Sequence, residues 1–172
     1  MKLKLDLHVH LFEAVNFARP EAKLIYKLVN VLKEKGLDGI AISDHGRGGL
    51  TFAYQVKELT GQIFGDDFVI IPGQEIRCGL EHIVELYLAN YCTFRFIAHP
   101  TNCIEGKWRD LGAIHAIEIE NGNYSIDREG ILDLARRRGI LALKNSDAHC
   151  MSEIGKLYNE IDLQELYIFN GR

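Results

Sequence analysis

Short apolar stretches with strand spacing alternate along the chain with longer stretches that have helical spacing. In the first, Leu3, Leu5 and Leu7 alternate with polar residues, as on a strand with one buried face. Further strands are predicted at 39–43, 68–72, 82–88, 94–98, 116–120, 141–146 and 156–161. Helices are predicted at 20–35, 50–62, 108–114 and 162–169, with a loop at 11–19 and a glycine-rich turn at 46–49. A further helix is predicted around 131–135, capped by Ser125 or Asp127 and ended by the arginines at 136–138. This alternation favours βαβ units and a parallel sheet, so the predicted fold class is α/β.

Histidines and carboxylates follow several of the predicted strands. His8 and His10 are two residues apart at the end of the first strand, so both imidazoles point to one face and can chelate a divalent metal. Asp147 and His149 repeat the spacing after the strand at 141–146. The carboxyl ends of parallel strands meet at one edge, which predicts a single metal site there. An eightfold barrel typically needs ~250 residues, so a smaller or distorted barrel is expected for 172.

Composition narrows the class of protein. The 172 residues suit one domain, 1–172, and the net charge of −4 gives no sign of binding to long nucleic acid. No apolar run is long enough to span a bilayer, and the N-terminus does not resemble a signal peptide, so a cytoplasmic location is expected. Cys78, Cys92, Cys103 and Cys150 have no CxxC spacing and are expected to be free thiols, with Cys150 a small apolar filler.

The polar motifs resemble those of a known family in residue type and in order. They are His8-x-His10, Asp44-His45, Glu75, His82, His99-Pro100 and Ser146-Asp147-Ala148-His149. This order is similar to that of the polymerase and histidinol phosphatase (PHP) superfamily, over nearly the whole chain. The resemblance implies a distorted barrel of seven βα units, with two or three metal ions at the C-terminal ends of the strands. Its members hydrolyse phosphate esters.

The resemblance also implies a role for each motif residue. One metal ion would be held by His8, His10, Glu75 and Asp147. A second would be held by Glu75, His82 and His99, so that Glu75 bridges the two. A third would be held by His45 and His149, and the further family ligand is replaced by Asn16 or by Glu13. The predicted catalytic residues are Asp44, Glu75 and His149, and Asp44 is expected to orient a histidine.

This donor set predicts the chemistry of the site. Imidazoles and carboxylates suit zinc, manganese or iron, and two such ions can hold a bridging hydroxide and neutralise phosphoryl oxygens. Arg47, Arg77 and Lys144 are candidate cations for the substrate phosphate, and His115 fits no motif and is predicted to be structural. Without a basic patch that carries aromatic residues, a small phosphomonoester or short nucleotide is favoured over long nucleic acid. The alternative is a non-catalytic metal-binding or partner-binding module, and the sequence does not indicate an oligomeric state.

Overall fold

Eight strands of the chain form one sheet in the order β7-β6-β5-β4-β3-β2-β1-β8. The structure is a computed structural model that describes residues 1–100 and 111–168. Its strands are β1 (Lys2–Val9), β2 (Gly39–Ile42), β3 (Val69–Cys78), β4 (Glu81–Tyr87), β5 (Thr93–Ala98), β6 (Ala116–Asn121), β7 (Leu141–Asn145) and β8 (Asn159–Asp162). Its helices are α1 (Leu11–Ala14), α2 (Ala22–Lys35), α3 (Gly46–Phe64), α4 (Arg128–Arg138) and α5 (Leu163–Ile168), with a 3-10 turn at Ala89–Tyr91.

The sheet curls into a nearly closed barrel, which confirms the predicted distorted α/β barrel. β1, β2, β3, β5, β6 and β7 run in one direction, while β4 is antiparallel to β3 and β5, and β8 is antiparallel to β1. The side chain of Asn159 bridges the gap between β8 and β7, because its amide accepts the Lys144 N–H and donates to the Lys144 carbonyl, each at 2.9 Å. The described part of the barrel therefore departs from a uniform βα repeat at β4 and β8.

Apolar side chains fill the barrel and also hold helices to its outer surface. The interior contains Leu5 and Leu7 of β1 together with Phe94 and Phe96 of β5. α2 and α3 pack outside β1 and β2, and α4 packs outside β5 and β6. Gly36 ends α2 as predicted, since it adopts φ 63°, a left-handed conformation that favours glycine.

A β-bulge in β1 turns the two histidines toward the interior. Asp6 pairs with Ile40 and Val9 with Ile42, so Leu7 and His8 together face one residue of β2. Residues on the two sides of a bulge lose the strict alternation of a strand. Leu7 consequently belongs to the interior cluster, the His8 ring also lies 6.2 Å from that of Phe96, and Val9 packs outward under α2.

Several predicted boundaries were wrong. α3 begins at Gly46 instead of after a turn at 46–49, and residues 11–14 form α1 within the predicted loop. β3 continues to Cys78, so Glu75 lies inside the strand. Of the predicted helix at 108–114, residues 108–110 lie outside the described residues and 111–114 are not helical. Residue 169 of the last predicted helix also lies outside them.

Two further expectations concern membrane-spanning helices and the cysteines. Among them, no helix combines the length and apolarity needed to cross a membrane. Cys78, Cys92 and Cys150 are free thiols, and Cys103 lies outside the described residues. Cys150 is exposed, so its prediction as a buried filler was wrong.

Candidate metal centre

Glu75 lies at the centre of a cluster of histidines, and its two carboxylate oxygens face different members. Oε1 lies 2.7 Å from His82 Nδ1 and 2.9 Å from His99 Nε2. Oε2 lies 3.2 Å from His10 Nε2 and 3.3 Å from His45 Nε2. The side chain is only 2% exposed. One buried carboxylate thus contacts imidazoles that come from four separate parts of the chain.

The strand directions explain how these side chains meet. Glu75 lies where β3 extends beyond β2, and its N–H donates to the Ser43 carbonyl at 2.8 Å. β4 returns antiparallel to β3, so the start of β4 lies at the edge where its parallel neighbours end. His82 is opposite Arg77 in this register, on the same face as Glu75. His99 directly follows β5 and adopts a positive φ of 30°.

Asp147 and His149 join the cluster from the end of β7. Asp147 Oδ1 lies 3.2 Å from His10 Nε2 and 3.5 Å from His8 Nε2. The backbone of Asp147 has φ 51°, an uncommon conformation outside glycine that aims the side chain at the histidines. The His149 ring stacks on His10 with centroids 4.3 Å apart, and its Nε2 lies 3.8 Å from Glu13 Oε2.

The structure brings all the predicted metal ligands together. Among the described residues, four groups place one possible donor atom from each member within 4.8 Å of the others. They are His8, His10 and Glu75; His10, Asp147 and His149; His10, Glu13 and His45; and Glu75, His82 and His99. Glu13 is therefore the residue near His45, while Asn16 is exposed on the loop that follows α1.

Glu118 is a buried carboxylate at the site that the sequence reasoning missed. Its Oε1 accepts from His8 Nδ1 at 2.9 Å and from the Asn145 amide at 2.8 Å. Its Oε2 accepts the His99 N–H at 2.7 Å and an Asn121 amide hydrogen at 2.9 Å. A hydrogen on His8 Nδ1 leaves the lone pair of that ring on Nε2, which faces the cluster. The available signal was an acidic residue between two isoleucines in a predicted strand.

Asp6 is a second buried carboxylate that was missed. It is fully buried and accepts hydrogen bonds from the N–H and hydroxyl of Ser146 and, at 2.9 Å, from the N–H of Gly155. Burial raises its pKa to about 6, although these hydrogen bonds act in the opposite direction. Asp6 thereby ties β1 to the segment that carries Asp147.

The hydrogen bonds of Asp44 go to the backbone of α1, and its role in orienting a histidine stays a prediction. Its two oxygens accept the N–H groups of Phe12 at 2.9 Å and Glu13 at 3.0 Å. Burial raises the pKa of Asp44 despite these hydrogen bonds. Gly49 lies against the Asp44 Cβ, and a side chain there would collide with it. The contacts of Asp44 hold Glu13 beside His10 and His45.

The three candidate phosphate-binding cations lie in different surroundings. Arg47 is exposed in the first turn of α3, and Arg77 is exposed on the Glu75 face of β3, where its Nε donates to the Gly79 carbonyl at 3.2 Å. Both remain predictions. Lys144 does not reach the cluster, because its ammonium pairs with Glu120 at 3.2 Å and lines a separate cavity between β7 and β8.

His115 directly precedes β6, at the end of the barrel opposite the cluster, as expected for a structural residue. Its Nδ1 accepts the Arg95 N–H at 3.0 Å.

Charge within the cluster favours bound cations. Burial alone would lower the pKa of His8, but Glu118, Glu75 and Asp147 more than offset it, so this pKa is raised well above its usual value. The pKa of His10 is likewise raised by Asp147 and Glu75. Burial would raise the pKa of Glu75, yet its histidine partners hold it well below the usual range. The negative carboxylates of the cluster therefore favour positive charge on their partners, either as protons on the imidazoles or as bound metal ions.

Two polar atoms of the cluster that are unpaired within the described part of the chain indicate that these residues fit a divalent metal ion. Asp147 Oδ1 approaches His10 Nε2 at 3.2 Å without forming a hydrogen bond, and His10 Nδ1 is also buried without a hydrogen-bond partner among the described residues. Buried polar atoms are nearly always paired. The Nε2 atoms of His8 and His10 lie 3.1 Å apart and converge with carboxylate oxygens. Mixed imidazole and carboxylate donors are ligands that zinc, manganese and iron accept.

Comparisons with known proteins agree with this geometry. Residues 127–166, which include Asp147 and His149, match a family model described as PHP-associated. A search of curated protein sequences finds no significant match.

Three solved structures share the fold. A two-domain protein of Bacteroides vulgatus ATCC 8482 that contains a predicted PHP-like metal-dependent phosphoesterase matches 99% of the chain at 16% identity, with a TM-score of 0.62. PsfC of Pseudomonas syringae PB-5123 matches 95% at 16% identity (TM-score 0.66, 87% of PsfC). A Bifidobacterium adolescentis ATCC 15703 protein, whose assignment as a metal-dependent phosphoesterase is also a prediction, matches 98% at 12% identity (TM-score 0.71, 96% of that protein).

The chain spans 62% of the length of the Bacteroides protein. The match to the PHP-associated model over residues 127–166 agrees with the resemblance to the PHP superfamily. The solved structures show that the fold is shared.

Proposed function

We propose that this PHP-like chain is a metal-dependent phosphoesterase that hydrolyses a small phosphomonoester or a short nucleotide. The observation that carries the proposal is the position of Glu75. Its two oxygens face two separate sets of imidazoles, an arrangement suited to bridging two cations. A carboxylate can contact two metal ions at once, whereas a single imidazole nitrogen cannot.

Glu75, His82 and His99 would hold one ion, and His8, His10, Glu75 and Asp147 would hold another. His45, His149 and Glu13 would hold a third. When bound, such ions generate a nucleophile from water at neutral pH and neutralise the charge of phosphoryl oxygens. Zinc, manganese and iron are the proposed metals, because the donors combine imidazole with carboxylate.

The chain's own residues orient the donors and leave the mouth of the site open. Glu118 keeps the His8 hydrogen on Nδ1, so that Nε2 faces the cluster. His149 Nδ1 lies 2.9 Å from the Asp147 carbonyl, which fixes that nitrogen as the donor and leaves Nε2 able to accept a proton or a metal. His45 and His149 are about half exposed, so an anionic ester can approach from their side. Arg47 and Arg77 are the proposed phosphate-binding cations.

The proposal is tested by a substrate panel on protein stripped of metal and then loaded separately with zinc, manganese or iron. The panel contains alkyl and aryl phosphomonoesters, nucleotides, phosphodiesters and a single-stranded oligonucleotide. We expect hydrolysis of a small ester that chelation abolishes and metal restores. Asp147→Asn should reduce the rate by more than roughly 100-fold, since even residues that only contact ligands cost 10–100-fold.

Asp133→Asn is the matched control, because Asp133 is exposed on α4 and pairs with Arg137 at the surface. It should hydrolyse the same ester at the wild-type rate. A metal-loaded chain that cleaves no ester in the panel would contradict the proposal and favour a non-catalytic metal-binding module.

A further inference from the structure

The loop that follows β6 borders the cluster and is held in place without supplying any of the proposed metal ligands. We call residues 121–124, which begin with the last residue of β6, the β6 loop. Asn121 Oδ1 accepts the N–H groups of Asn123 at 2.8 Å and Tyr124 at 3.0 Å, which closes a tight turn. The other amide atom of Asn121 donates to Glu118 at 2.9 Å. The turn is therefore fixed to the carboxylate that contacts His8 and His99.

The same loop is attached to the end of β7. The Asn123 amide donates to the Asp147 carbonyl and lies 3.4 Å from His149 Nδ1. Gly122 approaches the Ser146 carbonyl so closely that a Cβ atom would overlap it. Two asparagine side chains and this close approach therefore hold the β6 loop against the rim of the cluster.

These contacts fix the ring of Tyr124 beside a proposed metal ligand. The Tyr124 and His99 rings are stacked, with centroids 4.2 Å apart and planes inclined by 26°. His99 Nε2 in turn lies 2.9 Å from Glu75 Oε1. Tyr124 is nevertheless 48% exposed. Since one face of its ring covers His99, the exposed area lies on the opposite face and the edges. The neighbouring Asn123 lies 3.4 Å from His149, which is about half exposed.

We propose that Tyr124 is a specificity-determining residue whose exposed ring face stacks on a planar organic group of the phosphorylated substrate, such as a nucleobase. Stacking of this kind tolerates any base, because every base has a π-face. The preferred substrate class is then nucleoside monophosphates and short nucleotides, in preference to alkyl phosphates. The inference deepens the proposed function and rests on it only in placing the phosphate at the cluster.

Equilibrium binding of two non-hydrolysable phosphonates to the metal-loaded chain tests this subsite without requiring turnover. One is an adenosine 5′-phosphonate, in which carbon replaces the ester oxygen, and the other is propylphosphonate. Wild-type protein should bind the adenosine compound roughly 10- to 100-fold more tightly, the gain that one base stacked on an aromatic residue provides. Calorimetry measures both affinities, and elemental analysis of the same samples measures bound metal.

Two substitutions separate stacking from simple support of His99. Tyr124→Phe keeps the aromatic face and should keep the preference. Tyr124→Leu keeps apolar bulk against His99 but has no π-face, so it should keep the metal and the affinity for propylphosphonate while losing the preference. Tyr91→Ala, at an exposed tyrosine in the turn between β4 and β5, should bind both compounds as the wild type does.

The proposal is overturned if the wild type binds the two phosphonates equally, or neither, or if Tyr124→Leu weakens both to the same extent. The last result, especially with loss of metal, would mean that Tyr124 only supports His99. Failure of the proposed function would be distinct: metal-loaded wild type would then hydrolyse neither nucleoside monophosphates nor alkyl phosphates, while the binding comparison would still show whether Tyr124 stacks on the base.

Discussion

Glu118 Oε1 accepts a hydrogen bond from His8 Nδ1 at 2.9 Å, and neither side chain is exposed to solvent. Glu118 thus fixes the orientation of His8, a proposed metal ligand, and is not itself a proposed ligand. Glu118→Gln should weaken metal binding by roughly 10- to 100-fold, the usual effect of changing a ligand's hydrogen-bond partner. It should also cost about 1–3 kcal/mol of unfolding free energy, because an amide NH₂ would face other donors and leave them unpaired.

A competition titration with a chromophoric chelator measures this metal affinity. Glu120→Gln is the control on the same strand, since Glu120 forms surface ion pairs with Arg128 and Lys144. Surface pairs contribute about 0–1 kcal/mol, so the control should bind metal normally. Equal metal affinities for Glu118→Gln and the wild type would show that Glu118 does not position His8.

The stability of the metal-free chain should fall as pH rises above about 6.5. The pKa values of His8 and His10 are raised in the folded chain, so protonation of these residues stabilises it. This contribution is fully present below the pKa of unfolded histidine, about 6.5, and is lost as pH rises through the higher folded values. Denaturant unfolding of the metal-free chain at pH between about 6 and 9 measures the effect.

Metal ions and protons compete for the same histidine nitrogens, so low pH should weaken metal binding to the loaded chain. Its metal content and hydrolysis should decline below about pH 6.5, although bound metal can move the onset lower. Full metal content and full activity at pH about 4.5 would contradict the expected ligands. Unfolding free energies of the metal-free chain that do not change with pH would contradict the raised pKa values.

His115 provides a pH effect that is separate from the cluster. Burial lowers its pKa in the folded chain, and the positive charge of Arg95 acts in the same direction. Because the unfolded chain then binds the proton more readily, His115 should reduce stability as pH falls below about 6.5, by at most about 1.4 kcal/mol per pH unit. His115→Asn keeps an acceptor for the Arg95 N–H but does not titrate, so the stability difference between wild type and variant should change with pH. A constant difference between pH about 5 and 8 would refute this role.

Local spacing along the sequence predicted the two ligand pairs, because each pair depends only on the geometry of its own strand. His8 and His10 share a face through the two-residue period of a strand, and Asp147 and His149 have the same spacing at the end of β7. Their arrival at one edge followed from the alternation of strands and helices. The structure confirms this barrel and brings these residues together.

Features that depend on contacts between distant parts of the chain could not be predicted from the sequence. The bulge in β1 depends on its register with β2, and the alternation of Leu3, Leu5 and Leu7 gives no sign of an extra residue. The antiparallel direction of β4 likewise depends on pairing with β3. Glycines at 46, 48 and 49 have low helix propensity, yet α3 starts at Gly46, and Gly49 lies close against Asp44. Glu118 was missed because its partners are distant along the chain.

The central claim is that Glu75 bridges two metal ions, and the metal content of Glu75→Gln tests it most directly. This substitution keeps the size of the side chain and removes the negative charge, so adjacent cations would repel each other more strongly. Elemental analysis after identical metal loading should find about one ion fewer per chain than in the wild type. The far-UV circular dichroism should stay native, and Glu81→Gln, a nearby carboxylate outside the cluster, should keep the full complement. A full complement of metal in Glu75→Gln, with wild-type activity, would contradict the bridging role.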